Sequence, residues 1–180
     1  MELQMKKVTL LFALFATFLS LTNINPATAS TKGWRYWGYY QASPSTSTWK
    51  AAMTGPTVDV ADGSVEGWIF TFSSDDIPST PPSIKPSFAK ICGKTKAQAG
   101  LKRVGLVVDF GLKSYAPKGE KVQKTIVRCV VTAKESQGLD ILAQELRVRQ
   151  ADSGLICGFN GYPAKECGVE IPAPKSMKRK

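Results

Sequence analysis

The chain contains no histidine. That absence removes Ser-His-Asp and Cys-His catalysis, the commonest general base near neutral pH, and most catalytic zinc sites. Carboxylate chemistry stays open, because Asp59, Asp62, Glu66, Asp75, Asp76 and Asp109 are available. No spacing pairs two of them, so they are expected to form turns and carry solvated charge. The expectation is a non-catalytic protein with no metal and no cofactor. Cysteine is also sparse: Cys92, Cys129, Cys157 and Cys167 are the whole set, and none stands in CxxC spacing. A metal site or a nucleophilic thiol is therefore disfavoured. Beyond residue 22 no second long apolar run occurs, so no later membrane-spanning helix is expected.

What is present starts with a targeting pattern. Lys6 and Lys7 precede the apolar run "VTLLFALFATFLSLT" (8–22), and Ala27-Thr28-Ala29 offers a small-residue cleavage site before Ser30. That order is expected of a secretory signal peptide over 1–29, with an uncleaved anchor as the alternative. Residues 30–172 then form one domain, followed by a basic tail over 173–180 that carries Lys175, Lys178, Arg179 and Lys180. In an oxidising compartment four cysteines read as two disulfides with three possible connectivities. Cys157 and Cys167 flank a turn-like "GFNGYPAKE", which favours their pairing and leaves Cys92 with Cys129.

The net charge is +10, and stays at +9 without Glu2, Lys6 and Lys7. Denser basic patches lie at Lys94/Lys96/Lys102/Arg103 and at Lys118/Lys121/Lys124/Arg128. Outside a cell the expected counterparts are an anionic envelope surface, lipid head groups or wall polymer, rather than nucleic acid.

Two aromatic strands open the domain. "GWRYWGYY" (33–40) would line one face with Trp34, Tyr36 and Tyr40 and the other with Trp37 and Tyr39. In "DGSVEGWIFTF", Asp62-Gly63 makes a turn, and Glu66, Trp68, Phe70 and Phe72 share a face of a strand over 64–73. Pro78, Pro81, Pro82 and Pro86 then exclude an interior strand or helix over 75–86, which reads as a linker between two halves. "SFAKIC" is a candidate helical turn burying Phe88, Ile91 and Cys92. "RVGLVVDF" (103–110) and "IVRCVVTA" (126–133) are strands. "LDILAQEL" (139–146) is a helix with Leu139, Leu142 and Leu146 on one face and Ser136 as candidate cap. "LICGF" (155–159) is a short strand, and Asn160-Gly161 a turn. The fold class is α+β, a mixed sheet crossed by one main helix.

If that helix covers one face only, half of the rings fill the core. The others stay open for a flat-ring ligand, a sugar or a protein. Trp34, Tyr36, Trp37, Tyr39, Tyr40 and Trp68 are all candidates, with Arg35 as a cation for phosphate or carboxylate. Asn160 and Tyr162, in a loop braced by Cys157–Cys167, form a second candidate site presented at the sheet edge.

Two resemblances follow from these motifs. "YWGYY", "DGSVEGW", "PSF", "KRVGLVVDFG", "CVV", "GLICG" and "NGYPA", in that order, resemble a family of secreted actinobacterial proteins with no assigned activity. Genes of that family tend to lie beside those of energy-coupling-factor-type vitamin or metal importers, which implies importer subunits as partners. "CVVTAKESQGLDILAQE" followed by "GLICGFNGYP" is similar to the first part of the β-grasp module of transcobalamin-like proteins. "YWGYY" and "VADGSVEGWIF" resemble that module's last two strands but precede the rest. The resemblance thus implies a circularly permuted β-grasp and a corrinoid-like or other flat-ring ligand.

Overall fold

The computed structural model describes residues 32–177. The expected signal segment 1–29 and the last three residues of the basic tail lie outside the described residues.

The main sheet is built on β1 (Lys32–Ala42) and β3 (Val65–Ser73), which pair antiparallel with Tyr39 opposite Trp68 and Trp37 opposite Phe70. β3 lies parallel to β4 (Leu101–Asp109), and β4 pairs antiparallel with β5 (Ile126–Ala133). The short β2 (Lys50–Ala51) and β8 (Val169–Pro172) flank opposite ends of β1, so the order is β2-β1-β3-β4-β5 with β8 beside β1. β6 (Val148–Gln150) and β7 (Ile156–Phe159) form a separate hairpin. The helices are α1 (Phe88–Cys92) and α2 (Gly138–Glu145). This is the expected α+β architecture, a mixed sheet with one main helix.

Strand alternation sorts the side chains. Trp37, Trp68, Phe70, Phe72, Leu106, Val108 and Val130 point to one face and bury against Ile141 and Leu142 of α2 and Phe159 of β7. Burial of large rings here supplies much of the apolar area that drives folding. The helix face differs from the expected leucine stripe: Ile141 and Leu142 are fully buried, Leu139 only partly so. Its cap also differs. Gln137 occupies the N-cap, and Asp140 closes a capping box by accepting from the Gln137 backbone N–H at 2.8 Å.

The opposite face is covered over part of its length. Ala42, Val65 and Val107 bury there under Trp49, Phe88 and Ile91. The proline-rich segment, expected as a linker, lies along this face. Ser79 bonds the Tyr40 hydroxyl at 2.7 Å, Ile84 accepts from the Trp49 indole at 2.9 Å, and Ser83 donates to Asp109. Proline suits the role, because a covering segment with few free N–H groups leaves few donors to satisfy. Gly67 permits the fit: a Cβ there would stand 2.5 Å from the Trp49 ring.

Both disulfides are those expected, Cys92–Cys129 and Cys157–Cys167. The first fastens α1 to the edge strand β5, and the second closes the loop between β7 and β8.

Candidate functional site

The rings of β1 separate into three environments. Trp34 is 54% exposed, and Tyr36 is half-buried with its hydroxyl 3.1 Å from that of Ser73. Tyr40, expected as a candidate for the open face, is buried beneath the proline-rich segment. Trp37, Tyr39 and Trp68 lie on the core face, where Tyr39 stacks on Trp68 with centroids 4.4 Å apart and planes 13° apart. Trp37 meets Phe159 edge-on at 4.5 Å. On that face the irregular segment covers Tyr40, while Trp34 stays exposed and Tyr36 half-buried at its other end. Trp34→Ala should consequently change stability by less than about 0.5 kcal/mol, read from a urea midpoint.

Arg35 is also buried. Its guanidinium donates to the Tyr115 carbonyl at 3.0 Å and to Glu166 at 2.5 Å, so its charge is spent inside the protein. Asn160 takes positive φ in the turn and accepts from the Arg147 N–H at 3.0 Å. Tyr162, expected at the sheet edge, sits in the main core against Phe70 and Phe110. Burial, with the Glu120 charge next, pushes its phenol up to about 12. In the "GFNGYP" turn Phe159, Tyr162 and Pro163 are buried, Asn160 is half-buried and Gly161 is exposed.

The core-face rings do reach solvent at one place. Trp37, Tyr39 and Trp68 form one wall of a cleft of about 320 Å³. Thr54, Gly55 and Pro56 form the second wall, and Ser153–Ile156 the third. The second wall is anchored by α2: Leu139 N–H donates to the Pro56 carbonyl at 2.8 Å and Gly138 N–H to Val58 at 3.3 Å. These bonds satisfy donors that every helix start leaves free. A Cβ at Gly138 would crowd both Pro56 O and the Tyr39 hydroxyl at 3.0 Å, so the close approach needs glycine. The third wall turns at Gly154, which has positive φ. The indole N–H groups of Trp37 and Trp68 are buried and have no hydrogen-bond partner. Shut off from solvent and unpaired, they carry a desolvation cost within the fold.

Behind Tyr39 stands a polar cluster that the sequence reading did not single out. Glu66 is 1% exposed, not a solvated charge, and accepts from the Tyr39 hydroxyl and from Gln41 at 3.2 Å. Burial pushes its carboxyl up to about 7, against the opposing bonds from Tyr39 and Gln41 and the charge of Lys102. Burial and the neighbouring Glu66 likewise raise the Tyr39 phenol far above its ordinary range. Lys102 is itself buried, donating to the Val60 and Ser136 carbonyls at 2.7 and 2.6 Å. Glu66 also lines a second cleft of about 230 Å³, with Gln41, Asp59 and Ser64. Its position in "VEGWIF", on the face shared by Trp68 and Phe70, was the available signal. Asp109 is likewise buried, accepting from Ser83 and from Gly111 N–H at 3.0 Å.

Comparison with curated proteins finds no match, and comparison with solved structures finds none. Among protein-family models, the one described as SCO2322-like domain matches residues 29–172. That span contains every strand and both helices described above, and the chain belongs to the SCO2322-like domain family.

Proposed function

We propose that this is a secreted, non-catalytic binding module that captures a small planar ligand and presents it to a membrane importer. The carrying observation is the aromatic cleft, where a stacked Tyr39–Trp68 pair and the ring of Trp37 share one wall. Rigid rings held by a sheet lose little entropy on binding, which suits them to a flat heterocycle. Two disulfides fit an oxidising compartment, and among the described residues no helix is long and apolar enough to cross a membrane. The importer enters through the resemblance to families encoded beside such transporters.

The cleft volume narrows the ligand. Small-molecule pockets span about 300–1,000 Å³, and this one lies at the small end. It suits a single heterocycle or one edge of a corrinoid rather than a whole corrin ring with its side chains. Native mass spectrometry of the oxidised protein against corrinoids, smaller vitamins and flat heterocycles tests the reading. A stoichiometric adduct abolished by Trp68→Leu in a protein that still folds is the expected result. A clean unliganded monomer across the panel counts against it, and would favour the alternative, an envelope protein that docks on a protein partner or wall polymer.

A further inference from the structure

We propose that the end of the sheet formed by the β4–β5 loop docks on an anionic phospholipid surface, with Ile84 and Leu112 entering the interface and Lys85, Lys113 and Lys124 meeting the head groups. This goes beyond the ligand-binding reading and does not depend on the aromatic cleft.

A third cleft, of about 400 Å³, opens on the sheet face away from α2. Three separate stretches of chain converge on its rim: Thr80 to Ser83 from the proline-rich segment, Gly111 and Leu112 from the start of the β4–β5 loop, and Thr125 from its end. Each stretch carries an exposed lysine next to its rim residue. Lys85 lies just beyond Ser83, Lys113 follows Leu112, and Lys124 precedes Thr125. Leu112 is 57% exposed and Ile84 40% exposed, so the same rim presents two large apolar side chains to solvent. Neither is needed to close a core.

None of the three lysines makes an ion pair among the described residues. Of the carboxylates at this end of the sheet, Asp109 and Glu120 bond within the protein, while Asp75 and Asp76, just past the end of β3, are exposed. Asp109 is held by Ser83 and Gly111, and Glu120 accepts from the Ala164 N–H at 3.0 Å. Exposed aliphatic side chains interleaved with lysines match an interfacial membrane surface, where apolar groups enter the acyl boundary and ammonium groups meet phosphate. A protein partner is the weaker fit. Lysine is depleted in protein–protein interfaces, and forked recognition of carboxylates favours arginine, which this rim lacks.

The test is sedimentation of the oxidised full chain with phosphatidylcholine vesicles, with and without phosphatidylglycerol. Partition should need the anionic lipid and weaken as salt rises. Changing Lys85, Lys113 and Lys124 together to Gln should lower partition about a hundredfold, at about fivefold per lysine. Leu112→Ser should lower it about tenfold without changing thermal stability. The control changes Lys94, Lys96 and Lys134 to Gln, which removes equal charge from the opposite end of the β4–β5 hairpin. It should retain most of the binding. Equal loss in the two triple variants, or equal partition onto neutral vesicles, would overturn the assignment. Failure to bind any vesicle would also overturn it, and would move this rim to an acidic protein partner. None of these results bears on ligand capture in the aromatic cleft, which native mass spectrometry reads separately.

Discussion

Trp37→Ala should destabilise the protein by about 3–5 kcal/mol, the range for truncating a large buried aromatic. Trp37 is 5% exposed and touches Phe70, Phe110 and Phe159, so removing its indole opens a void among three other rings. The surrounding sheet cannot collapse into that space, because β1 is held by β3 on one side and by β2 and β8 on the other. For a domain of this size the melting temperature should fall on the order of 10 °C. Calorimetry of the oxidised protein measures it. A fall of less than about 2 °C would mean that the ring belongs to the cleft alone and carries no packing load. Trp37→Phe should recover much of the stability, since it refills most of the void and removes a buried N–H that has no partner.

The second large effect is a pH dependence carried by Glu66. Its native carboxyl is pushed up to about 7 from an ordinary 4.5, chiefly by burial. The folded state therefore binds this proton more tightly than the unfolded chain does. Below the unfolded value the group is neutral in both states and costs nothing. As pH rises from 4.5 towards 7, the unfolded chain ionises first and stability is lost. Above 7 the loss is complete, at about 3 kcal/mol. Glu66→Gln keeps the shape and an acceptor for the Tyr39 hydroxyl but cannot ionise. The variant should match the parent near pH 4 and be more stable near pH 8, as read from urea midpoints at both values. A difference between the two proteins that does not change with pH would sink this account. Since Tyr39 bonds Glu66 and also lines the aromatic cleft, ionisation there should be felt by any ligand stacked on Tyr39.

Much of the fold was legible because its signals are local. Alternation placed Glu66, Trp68, Phe70 and Phe72 on one face, and the structure keeps them there. Asp62-Gly63 and Asn160-Gly161 marked real turns, with Gly63 and Gly161 both at positive φ. The spacing of Cys157 and Cys167 around a turn indicated their pairing, and with it the other disulfide. β6 and β8 escaped notice. Neither the three residues of β6 nor the four of β8 give a period long enough to recognise, and their pairing partners supply the order.

The candidate site was legible only in part. Sequence indicated Trp37, Tyr39 and Trp68 as rings of interest, and these three do line a common cleft. It also pointed to Tyr40, Arg35 and Tyr162, which the structure buries among protein partners. The reason is that periodicity says which side chains share a face, not what covers that face. A proline-rich stretch has no period, so its docking over Tyr40 and Thr71 leaves no local trace. The cleft has the same origin: Thr54–Pro56 and Ser153–Ile156 lie far apart in sequence and meet only across the folded sheet. By itself the sequence indicated the longer strands, the shared faces and the favoured disulfide pairing, since alternation, turn residues and cysteine spacing act over a few bonds. Only the tertiary structure decided which rings see water and which carboxylates are buried, because burial is a property of the segments that come to rest above them.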